Sequence, residues 1–352
     1  MTMANVTVIY ALPEKYATSI RLSGLFPQGM KKISQPWWPS FFPLKIIMIL
    51  RQAIVSFVKI RRNEIIYASA PLAASAIPAI IVKKLKGSIL VADWDDAFTD
   101  FRLNAPSLLS PHYWELECLE MADKVVVVSK KLEEIAVSMK GRDNVIYIPN
   151  GVDTEKFKSR KNASNGRLVI GITGYVGKIG KKFAYQEMTE IAQEIKDAQF
   201  LVVGYGKGVR DFKTHVRTHG LESRFRFVDY VKHEDIPKYI DMMDVCLVPF
   251  GKFFTSETRS SVKMKEFMSM GKAIVATKIG ENITDLDNGK CGMLAEDSHE
   301  FAVKIKSLQK NPALRRELGR KARERAEKVY DFRILRKKLY KFLDGVNGQV
   351  SR

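Results

Sequence analysis

Glycine and lysine recur in the run GITGYVGKIGKK, residues 171–182, which follows an apolar stretch expected to end as a strand at Ile170. Glycine allows the backbone to approach phosphate oxygens closely, and lysine attracts their charge. A helix is predicted from about Phe183, and its first N–H groups would point at the same place. The run lacks both G-x-G-x-x-G and G-K-[S/T], so a plain strand-to-helix turn with solvated lysines explains it equally well. The candidate phosphate ligands are Gly174, Gly177, Lys178 and Lys182.

A second candidate site lies in residues 257–277, ETRSSVKMKEFMSMGKAIVAT. Polar residues lead into a predicted helix that ends near Gly271, and a buried strand follows. Ser260 or Ser261 suits the N-cap of this helix, whose free amides could meet a phosphate. Glu266 lies further along, where its carboxylate could accept two hydrogen bonds from a ribose diol. A solvated charge on the helix surface is the alternative interpretation of Glu266.

Three carboxylates, Asp93, Asp95 and Asp96, follow an apolar strand predicted over residues 88–92. Carboxylates grouped at a strand end could bind a divalent cation, or could act on a substrate without metal. They could also do no more than solvate a loop before a helix starting within residues 97–102. Two histidines, His112 and His233, lie in predicted loops, and neither is selected, since a lone histidine is more often structural or solvated.

The elements that would position these residues are short apolar runs alternating with helix-length amphipathic segments. This alternation is typical of parallel sheets in α/β layers, and the runs are too many for one small sheet. They cover residues 6–12, 64–69, 88–94, 124–129, 167–173, 198–204, 224–230, 244–250, 272–277 and 291–297. The polar stretch 158–166 is predicted to link two domains, and the charged stretch 312–342 is predicted to be helical.

The chain has 352 residues, which suits two domains, and its 46% hydrophobic content indicates a globular protein. The formal net charge of +19 divides into +5 for residues 1–150 and +14 for the remainder, and such a basic surface attracts polyanions or anionic lipid. The three cysteines are far apart and lack metal-site spacing, and the first residues read as a strand rather than a signal peptide. We therefore expect reduced thiols and a cytoplasmic location.

Residues 31–62 contain seven lysines or arginines and no acidic residue, together with Trp37, Trp38, Phe41 and Phe42. Three of the cations, Lys45, Arg51 and Lys59, interrupt the apolar run, so a membrane-spanning helix is not predicted. Aromatic, aliphatic and cationic residues in one segment suit the headgroup boundary of an anionic bilayer. The alternative is a core helix whose cations reach outward. The grouping of four aromatic residues favours the membrane surface.

Four blocks of the sequence, taken in order, resemble one protein family. The block P-N-G-V-D at 149–153 with Phe157, and the strand ADKVVVVS at 122–129, are similar to signatures of family-four retaining glycosyltransferases. The glycine-rich turn at 171–178 resembles the "G-x-l-x-x-x-K" turn of that family. EFM at 266–268 followed by GKAIVAT at 271–277 resembles its "E-y/a-m-a-x-G-k-P-v-v-a" block. The order and spacing agree over roughly residues 85–345.

The resemblance implies the GT-B fold, in which two Rossmann-like domains with parallel sheets face a cleft and the last helix crosses back to the first domain. Residues 1–157 would form the acceptor-binding domain, residues 158–330 the nucleotide-sugar-binding domain, and residues 331–352 the returning helix. In this interpretation Lys178 takes the place of a diphosphate-binding arginine, and Lys182 or Lys181 that of a companion lysine. Glu266 would hold the ribose, and the backbone of residues 229–232 would contact the base.

The sequence departs from the family at the first glutamate of its Glu-x7-Glu pair, because that position is Thr258 and Glu257 lies one place earlier. An alternative Ser-x-x-Lys-x-x-Glu arrangement is matched by Ser260, Lys263 and Glu266, with Ser261 beside them. For the catalytic groups we predict Asp95, Asp96 and Glu257, because relatives with this fold carry an acidic or histidine residue facing the donor sugar.

The predicted function is metal-independent transfer of a sugar, with retention, from a UDP- or GDP-sugar to a membrane-associated, lipid-linked or glycan acceptor. The protein would be peripheral at the cytoplasmic face, with residues 31–62 on an anionic membrane and with no cofactor beyond the donor substrate. The alternatives are a nucleotide-sugar epimerase or soluble sugar synthase, and a non-enzymatic binder of polyanions. Nucleic acid is disfavoured, since no helix-turn-helix, zinc-finger or RNA-recognition pattern is evident.

Overall fold

The computed structural model describes residues 6–11, 18–26, 30–34, 41–97, 111–159, 166–179 and 182–350. Within these residues the larger strands form two six-stranded parallel sheets, and the short strands β8 and β9 pair antiparallel with each other. The strands are β1 Val6–Tyr10, β2 Lys31–Ile33, β3 Ile65–Ser69, β4 Ile89–Trp94, β5 Lys124–Val127, β6 Val145–Tyr147, β7 Leu168–Tyr175, β8 Lys178–Ile179, β9 Lys182–Phe183, β10 Ala198–Tyr205, β11 Phe225–Val228, β12 Val245–Val248, β13 Ala273–Thr277 and β14 Met293–Ala295.

Helices alternate with these strands, as parallel connections require. They are α1 Thr18–Leu25, α2 Phe42–Lys59, α3 Ala73–Lys86, α4 Pro111–Met121, α5 Lys130–Lys140, α6 Ala184–Glu194, α7 Val209–Thr218, α8 Ile236–Asp241, α9 Phe254–Glu257, α10 Val262–Ser269, α11 Gly280–Asp285, α12 Ser298–Lys310, α13 Pro312–Arg325 and α14 Phe332–Val350. Short 3-10 turns cover Arg142–Asn144, Glu222–Arg224 and His233–Asp235, and a π-helical turn covers Ala326–Tyr330.

The first compact unit comprises residues 1–150, 258–260 and 332–352. Its sheet has the strand order β2-β1-β3-β4-β5-β6, with β1 and β3 buried along their whole length. One side of the sheet packs against α1 and α14 through Leu22, Leu25, Leu335 and Leu339. The last helix therefore completes the core of the unit that the start of the chain begins, in agreement with the returning helix of the predicted fold.

The second unit comprises residues 151–257 and 261–331. Its sheet has the order β11-β10-β7-β12-β13-β14, with apolar clusters on both faces. Numbered within the unit this order is 3-2-1-4-5-6, the arrangement of dinucleotide-binding α/β domains. Two α/β units, each on a parallel sheet, confirm the predicted fold class. The predicted boundaries at 157/158 and 330/331 compare with changes of unit at 150/151 and 331/332 in the structure.

The glycine-rich run begins later than the sequence analysis predicted. The apolar run predicted over residues 167–173 forms strand β7, which continues to Tyr175, so the strand does not end at Ile170 and Gly171 lies inside the sheet. A Cβ atom at position 171 would lie 2.2 Å from the Met243 sulfur, so glycine at this position serves packing rather than a ligand. The turn is correspondingly shorter, and it contains the β8–β9 hairpin, which was not predicted.

Strands β2 and β6 were also missed, because each has only three residues and no clear apolar alternation. Parts of the predicted linker 158–166 and of the predicted helix start at 97–102 lie outside the described residues. Trp37, Trp38 and Lys181 also lie outside them. In the part of the chain that the structure describes, no helix has the length and apolar character needed to cross a bilayer.

Candidate donor site at the sheet switch point

The second unit has a pocket where its strand order reverses, at the carboxyl ends of β7 and β12. Open α/β sheets place ligands at this point, because the connections from neighbouring strands leave in opposite directions there. The pocket is lined by the end of β7 and the following turn (residues 172–177), Pro249 after β12, and Lys263 of α10, with Val202, Val203 and Phe212 behind them. The structure thus brings three predicted donor-binding residues together: Gly174, Gly177 and Lys263.

Glycine is required at this pocket by backbone geometry. Gly174 has φ +104°, a conformation that residues with a side chain rarely adopt. A Cβ atom at Gly177 would lie 2.2 Å from the ring of Tyr175. The β7 turn is tied to its neighbour by the Val176 amide, which donates to the Tyr205 carbonyl at 2.7 Å, and by the Gly208 amide, which donates to the Val176 carbonyl at 3.1 Å. The turn is therefore fixed in place before any ligand arrives.

Two of the predicted phosphate-binding lysines lie on the hairpin that follows this turn. Lys178 is paired with Phe183 and Lys182 with Ile179 in the β8–β9 register. The backbone therefore carries both lysines directly beyond the Gly174–Gly177 turn.

Of the two predicted N-cap residues of helix α10, Ser260 and Ser261, the structure selects Ser261. The Ser261 hydroxyl accepts a hydrogen bond from the Met264 amide at 3.3 Å. Within the first turn of the helix, the Lys263 ammonium lies 5.8 Å from the centre of the Phe250 ring. Ser260 is held differently, by Asn150 of the same first unit. The backbone amide of Asn150 donates to the Ser260 hydroxyl at 3.1 Å, and the Asn150 side-chain amide donates to the Ser260 carbonyl at 2.8 Å.

Glu266 is buried to 95%, so the alternative of a solvated surface charge is wrong. Its carboxylate oxygen Oε1 lies 2.6 Å from Nε2 of His233, one of the histidines that sequence reasoning set aside. This hydrogen bond raises the pKa of His233, while burial and the nearby Lys156 oppose the rise. Because the two residues are 33 positions apart, only the fold could reveal the contact.

The predicted catalytic residue Glu257 ends the short helix α9 and is half-buried. Its backbone packs against Gly280, where a Cβ atom would lie 2.4 Å from the Glu257 carbonyl oxygen. Thr258, at the family's glutamate position, is fully buried in the first unit. The lining of the switch-point pocket includes neither Glu257 nor Ser260.

The three aspartates of the first unit have three different surroundings. Asp93 is buried and forms an ion pair with Arg21 at 2.8 Å, and Arg21 also donates to the Pro149 carbonyl at 3.0 Å. Asp96 pairs with Arg259 at 3.2 Å. Arg21 carried no recognisable signal in the sequence. Among the described residues, no group of three or more metal-ligating side chains comes together.

Asp95 differs from both neighbours, because its Oδ1 atom is buried and has no hydrogen-bond partner among the described residues. Burial raises the pKa of Asp95 well above its ordinary value, and the carboxylates of Asp96 and Asp93 add to the rise. Burial also raises the pKa of Asp96, although Arg259 opposes it. A neutral Asp95 can donate a hydrogen bond, which an ionised carboxylate cannot.

A row of tyrosines was not anticipated. Tyr175 and Tyr205 end the neighbouring strands β7 and β10 as register partners, and Tyr230 follows β11. Successive ring centres are 5.7 and 5.6 Å apart and meet edge to face, yet all three side chains are about half exposed or more. The row extends from the pocket to the edge strand of the sheet. A signal existed in the sequence, since each tyrosine follows or ends a predicted strand.

Comparison with known proteins gives the site a context. Residues 167–311 match the family model for "Glycosyl transferases group 1". The chain is 25% identical to TuaH of Bacillus subtilis (strain 168), named for teichuronic acid biosynthesis, over 47% of this chain and 43% of TuaH. It is 27% identical to the 2-deoxystreptamine glucosyltransferase of Streptomyces kanamyceticus, over 42% of this chain and 41% of that protein. The chain therefore spans less than half the length of these curated relatives.

Solved structures resemble the whole fold at low sequence identity. Sucrose-phosphate synthase from Thermosynechococcus elongatus has a TM-score of 0.79 at 15% identity, covering 98% of this chain and 100% of that one. Anabaena Alr3699/HepE in complex with UDP-glucose has a TM-score of 0.69 at 16% identity, covering 97% and 99%. The fold is shared with both proteins.

Proposed function

We propose, on the premise that residues 167–311 form a domain of the glycosyl transferases group 1 family, that this protein transfers a sugar from a nucleotide-diphosphate sugar to an acceptor. The observation that carries the proposal is the pocket at the switch point of the second sheet. At this pocket Gly174 and Gly177 allow a phosphate to approach the backbone closely, and Lys263 supplies a positive charge. UDP-sugars are the first candidates, because the HepE structure holds UDP-glucose and one relative is named a glucosyltransferase.

In the proposed reaction the nucleoside diphosphate leaves as its bond to the sugar breaks. Lys263, with Lys178 and Lys182 of the hairpin, would stabilise the negative charge that develops on the diphosphate. Glu266 would hold the ribose diol. These lysines supply positive charge without a divalent ion, and we therefore propose metal-independent transfer. Retention of configuration is the expectation from the family resemblance.

Asp95 and Asp96 would have different tasks in this scheme. Asp96 remains tied to Arg259, whereas Asp95, whose pKa is raised well above its ordinary value by burial, would in its protonated form donate a hydrogen bond to a substrate oxygen. Glu257 is held through its backbone, and its side chain would contact the sugar.

The test is the melting temperature of the protein with a panel of nucleotide diphosphates and nucleotide sugars, in the presence of EDTA. A nucleotide at one hundred times its Kd stabilises the folded state by about 2.7 kcal/mol and so raises the melting temperature. We expect one nucleotide to do so, and Glu266→Ala to abolish the rise. Glu317→Ala, which removes an exposed carboxylate paired with Lys321, is the control and should leave the rise intact.

Other outcomes would revise the proposal. A rise only after Mg²⁺ or Mn²⁺ is added would contradict metal independence. No rise with any nucleotide would contradict the donor site and favour the polyanion-binder alternative. Turnover of the donor without any acceptor would favour an epimerase.

On the acceptor side, we propose that the protein works at the cytoplasmic face of an anionic membrane, with a lipid-linked or glycan acceptor. The support comes from helix α2, whose outward face is more apolar than its buried face. The buried face includes Gln52, whose amide donates to the Tyr10 carbonyl at 2.8 Å, and the fully buried Ser56. The exposed residues of α2 include Arg51 and Lys59 and a set of large apolar side chains, Leu44, Ile46, Ile47, Leu50, Ile54, Phe57 and Val58.

The charges of this region suit an anionic surface. Helix α2 carries Lys45, Arg51 and Lys59 and no acidic residue, while Leu85 of the adjoining α3 is 63% exposed. An apolar stripe flanked by cations lies flat at the headgroup boundary, where apolar burial and charge attraction add. A core helix would have the opposite pattern, with its apolar side inward.

The membrane proposal is tested by sedimentation with vesicles of phosphatidylcholine, with and without phosphatidylglycerol. We expect binding to the anionic vesicles, and loss of that binding in the triple variant Ile47→Ser, Ile54→Ser, Val58→Ser, because the three side chains are 57, 66 and 74% exposed and support no core. The matched control Val303→Ser changes an exposed apolar residue of α12 and should bind as the parent does. Equal binding by parent and triple variant would overturn the proposal, provided both melt at the same temperature.

A further inference from the structure

The contact between Glu266 and His233 joins a buried carboxylate to a histidine that is 43% exposed on its side chain. Glu266 lies on the buried face of α10, three residues after Lys263 of the switch-point pocket. A carboxylate placed in such surroundings needs a hydrogen-bond partner, because removing its charge from water is otherwise costly. His233 is that partner, with Nε2 2.6 Å from Oε1.

The surroundings of His233 leave Glu266 as its principal electrostatic partner. His233 opens the 3-10 turn His233–Asp235 that follows β11, and its ring centre lies 5.1 Å from that of Phe157. The positive charge of Lys156 lowers the pKa of His233, whereas the hydrogen bond and charge of Glu266 raise it. The adjacent Lys232 and Glu234 face each other at 4.0 Å.

We infer that His233 is a positioning residue, which in its protonated form fixes the Glu266 carboxylate for the ribose of the donor nucleotide. The inference rests on the proposed function, because it assigns the ribose to Glu266. It follows that donor affinity depends on the charge of a residue that need not touch the donor.

The physical reason is that imidazolium and imidazole bind a carboxylate differently. The protonated ring donates a charge-assisted hydrogen bond to Oε1, which leaves Oε2 oriented for a ribose hydroxyl. The neutral ring donates from only one nitrogen, and the tautomer with a bare Nε2 repels Oε1. Glu266 raises the pKa of His233 above its ordinary value, so the ion pair persists above pH 6.5 and is lost as the pH rises further.

The experiment measures the Kd of UDP by calorimetry between pH 6.5 and 8.5, for the parent and for His233→Gln. For the parent we expect binding to weaken about tenfold over this range, equivalent to loss of about 1.4 kcal/mol. Glutamine retains an amide donor near Nε2 but does not titrate, so His233→Gln should show a flat profile. His233→Ala should bind UDP more weakly than the parent at pH 6.5, since Glu266 loses its partner.

The matched control is His299→Gln, because His299 also pairs with a carboxylate, Glu194, at 3.1 Å, but at an exposed surface. Its profile should follow that of the parent. A second readout is the NMR titration of the His233 ring, whose pKa should fall toward the ordinary value in Glu266→Gln.

Each outcome decides a separate point. UDP binding with an unchanged pH profile in His233→Gln would overturn the inference and leave the donor site intact. Tighter binding by His233→Ala would also overturn it, by showing that the ring competes with the ribose. Absence of UDP binding by the parent at every pH would overturn the inference, and absence of a rise in melting temperature with any nucleotide would overturn the donor site as well.

Discussion

At the scale of single residues, the glycines of the second unit provide space for an aromatic ring. Tyr175 is 61% exposed, yet a Cβ atom at Gly177 or Gly206 would come within 2.2 or 2.5 Å of its ring. The ring therefore packs against the backbone of two glycines, Gly177 and Gly206, where any side chain would collide with it. The sequence suggested glycine for close approach of a phosphate, and the structure adds a second reason, which is to seat Tyr175 beside the pocket.

The residue-scale prediction compares Gly206→Ala with Gly220→Ala. Both positions have positive φ, +118° and +65°, so alanine strains the backbone at each. At Gly220 nothing lies within 4 Å of an added Cβ, and we expect a loss of about 1 kcal/mol in the free energy of unfolding. At Gly206 the added Cβ also meets the Tyr175 ring at 2.5 Å and the Val176 carbonyl oxygen at 2.7 Å, so we expect a further loss of about 1–3 kcal/mol and weaker nucleotide binding.

Urea unfolding of the two variants checks this expectation, and the difference between them measures the crowding of the added Cβ by the Tyr175 ring and the Val176 carbonyl oxygen, together with the larger φ of Gly206. Equal losses, with unchanged nucleotide binding, would show that the ring moves aside freely. The tyrosine would then have no fixed position at the pocket.

At the scale of elements, α10 shows how a helix can hide charges that its sequence suggests are exposed. Lys265 and Asp285 are both fully buried and form an ion pair at 2.6 Å, with the Lys265 ammonium 5.2 Å from the centre of the Tyr330 ring. Removing either partner alone would leave an uncompensated buried charge, which is strongly destabilising. The alternation of charged and apolar residues along α10 gave no sign that the lysine points inward.

Helix α2 shows the opposite case, because it exposes apolar side chains that a core helix would bury. Its composition left two interpretations open, a core helix and an interfacial helix. Packing against α3 and the sheet uses its smaller and more polar side, Ala53, Ser56 and Gln52, and turns Ile47, Ile54 and Val58 outward. A periodicity analysis identifies an apolar face but cannot say which face the rest of the unit will cover.

At the scale of the whole molecule, the two ends of the described chain meet in the first unit. Phe332 of α14 packs onto Gly24 of α1, where a Cβ atom would lie 2.4 Å from the phenyl ring. The Arg336 guanidinium donates to the Gly24 carbonyl at 2.8 Å. These contacts join residues more than 300 positions apart, so they form only once the last helix has returned to α1, and we expect the stability of the first unit to depend on that helix.

We predict that Leu339→Ala, on the last helix, destabilises the first unit as a core substitution does. Leu339 is fully buried against the sheet, and its truncation should lower the free energy of unfolding by about 2–5 kcal/mol. The control Lys337→Ala changes an exposed position of the same helix and should cost under 0.5 kcal/mol. Thermal unfolding measures both, and equal melting temperatures would show that α14 contributes little to the first unit.

The sequence by itself determined the alternation of strands and helices, the start of α10 at Ser260 or Ser261, and three residues of the switch-point pocket, Gly174, Gly177 and Lys263. These are local properties, because burial of an apolar run and capping of a helix depend on neighbours in the chain. It could not find Arg21 for Asp93, His233 for Glu266 or Asp285 for Lys265. Each pair joins distant positions, and a charge can be buried only where the fold brings a partner to it.

The tertiary structure also decided matters that the sequence left open or placed wrongly. It moved Gly171 from a ligand-binding turn into a strand, since strand length is set by pairing with β10 and not by the first glycine. It turned the apolar side of α2 outward and divided Ser260 from Ser261 between the two units. Residue types limit what a site can do, but which residues share it is decided by long-range packing.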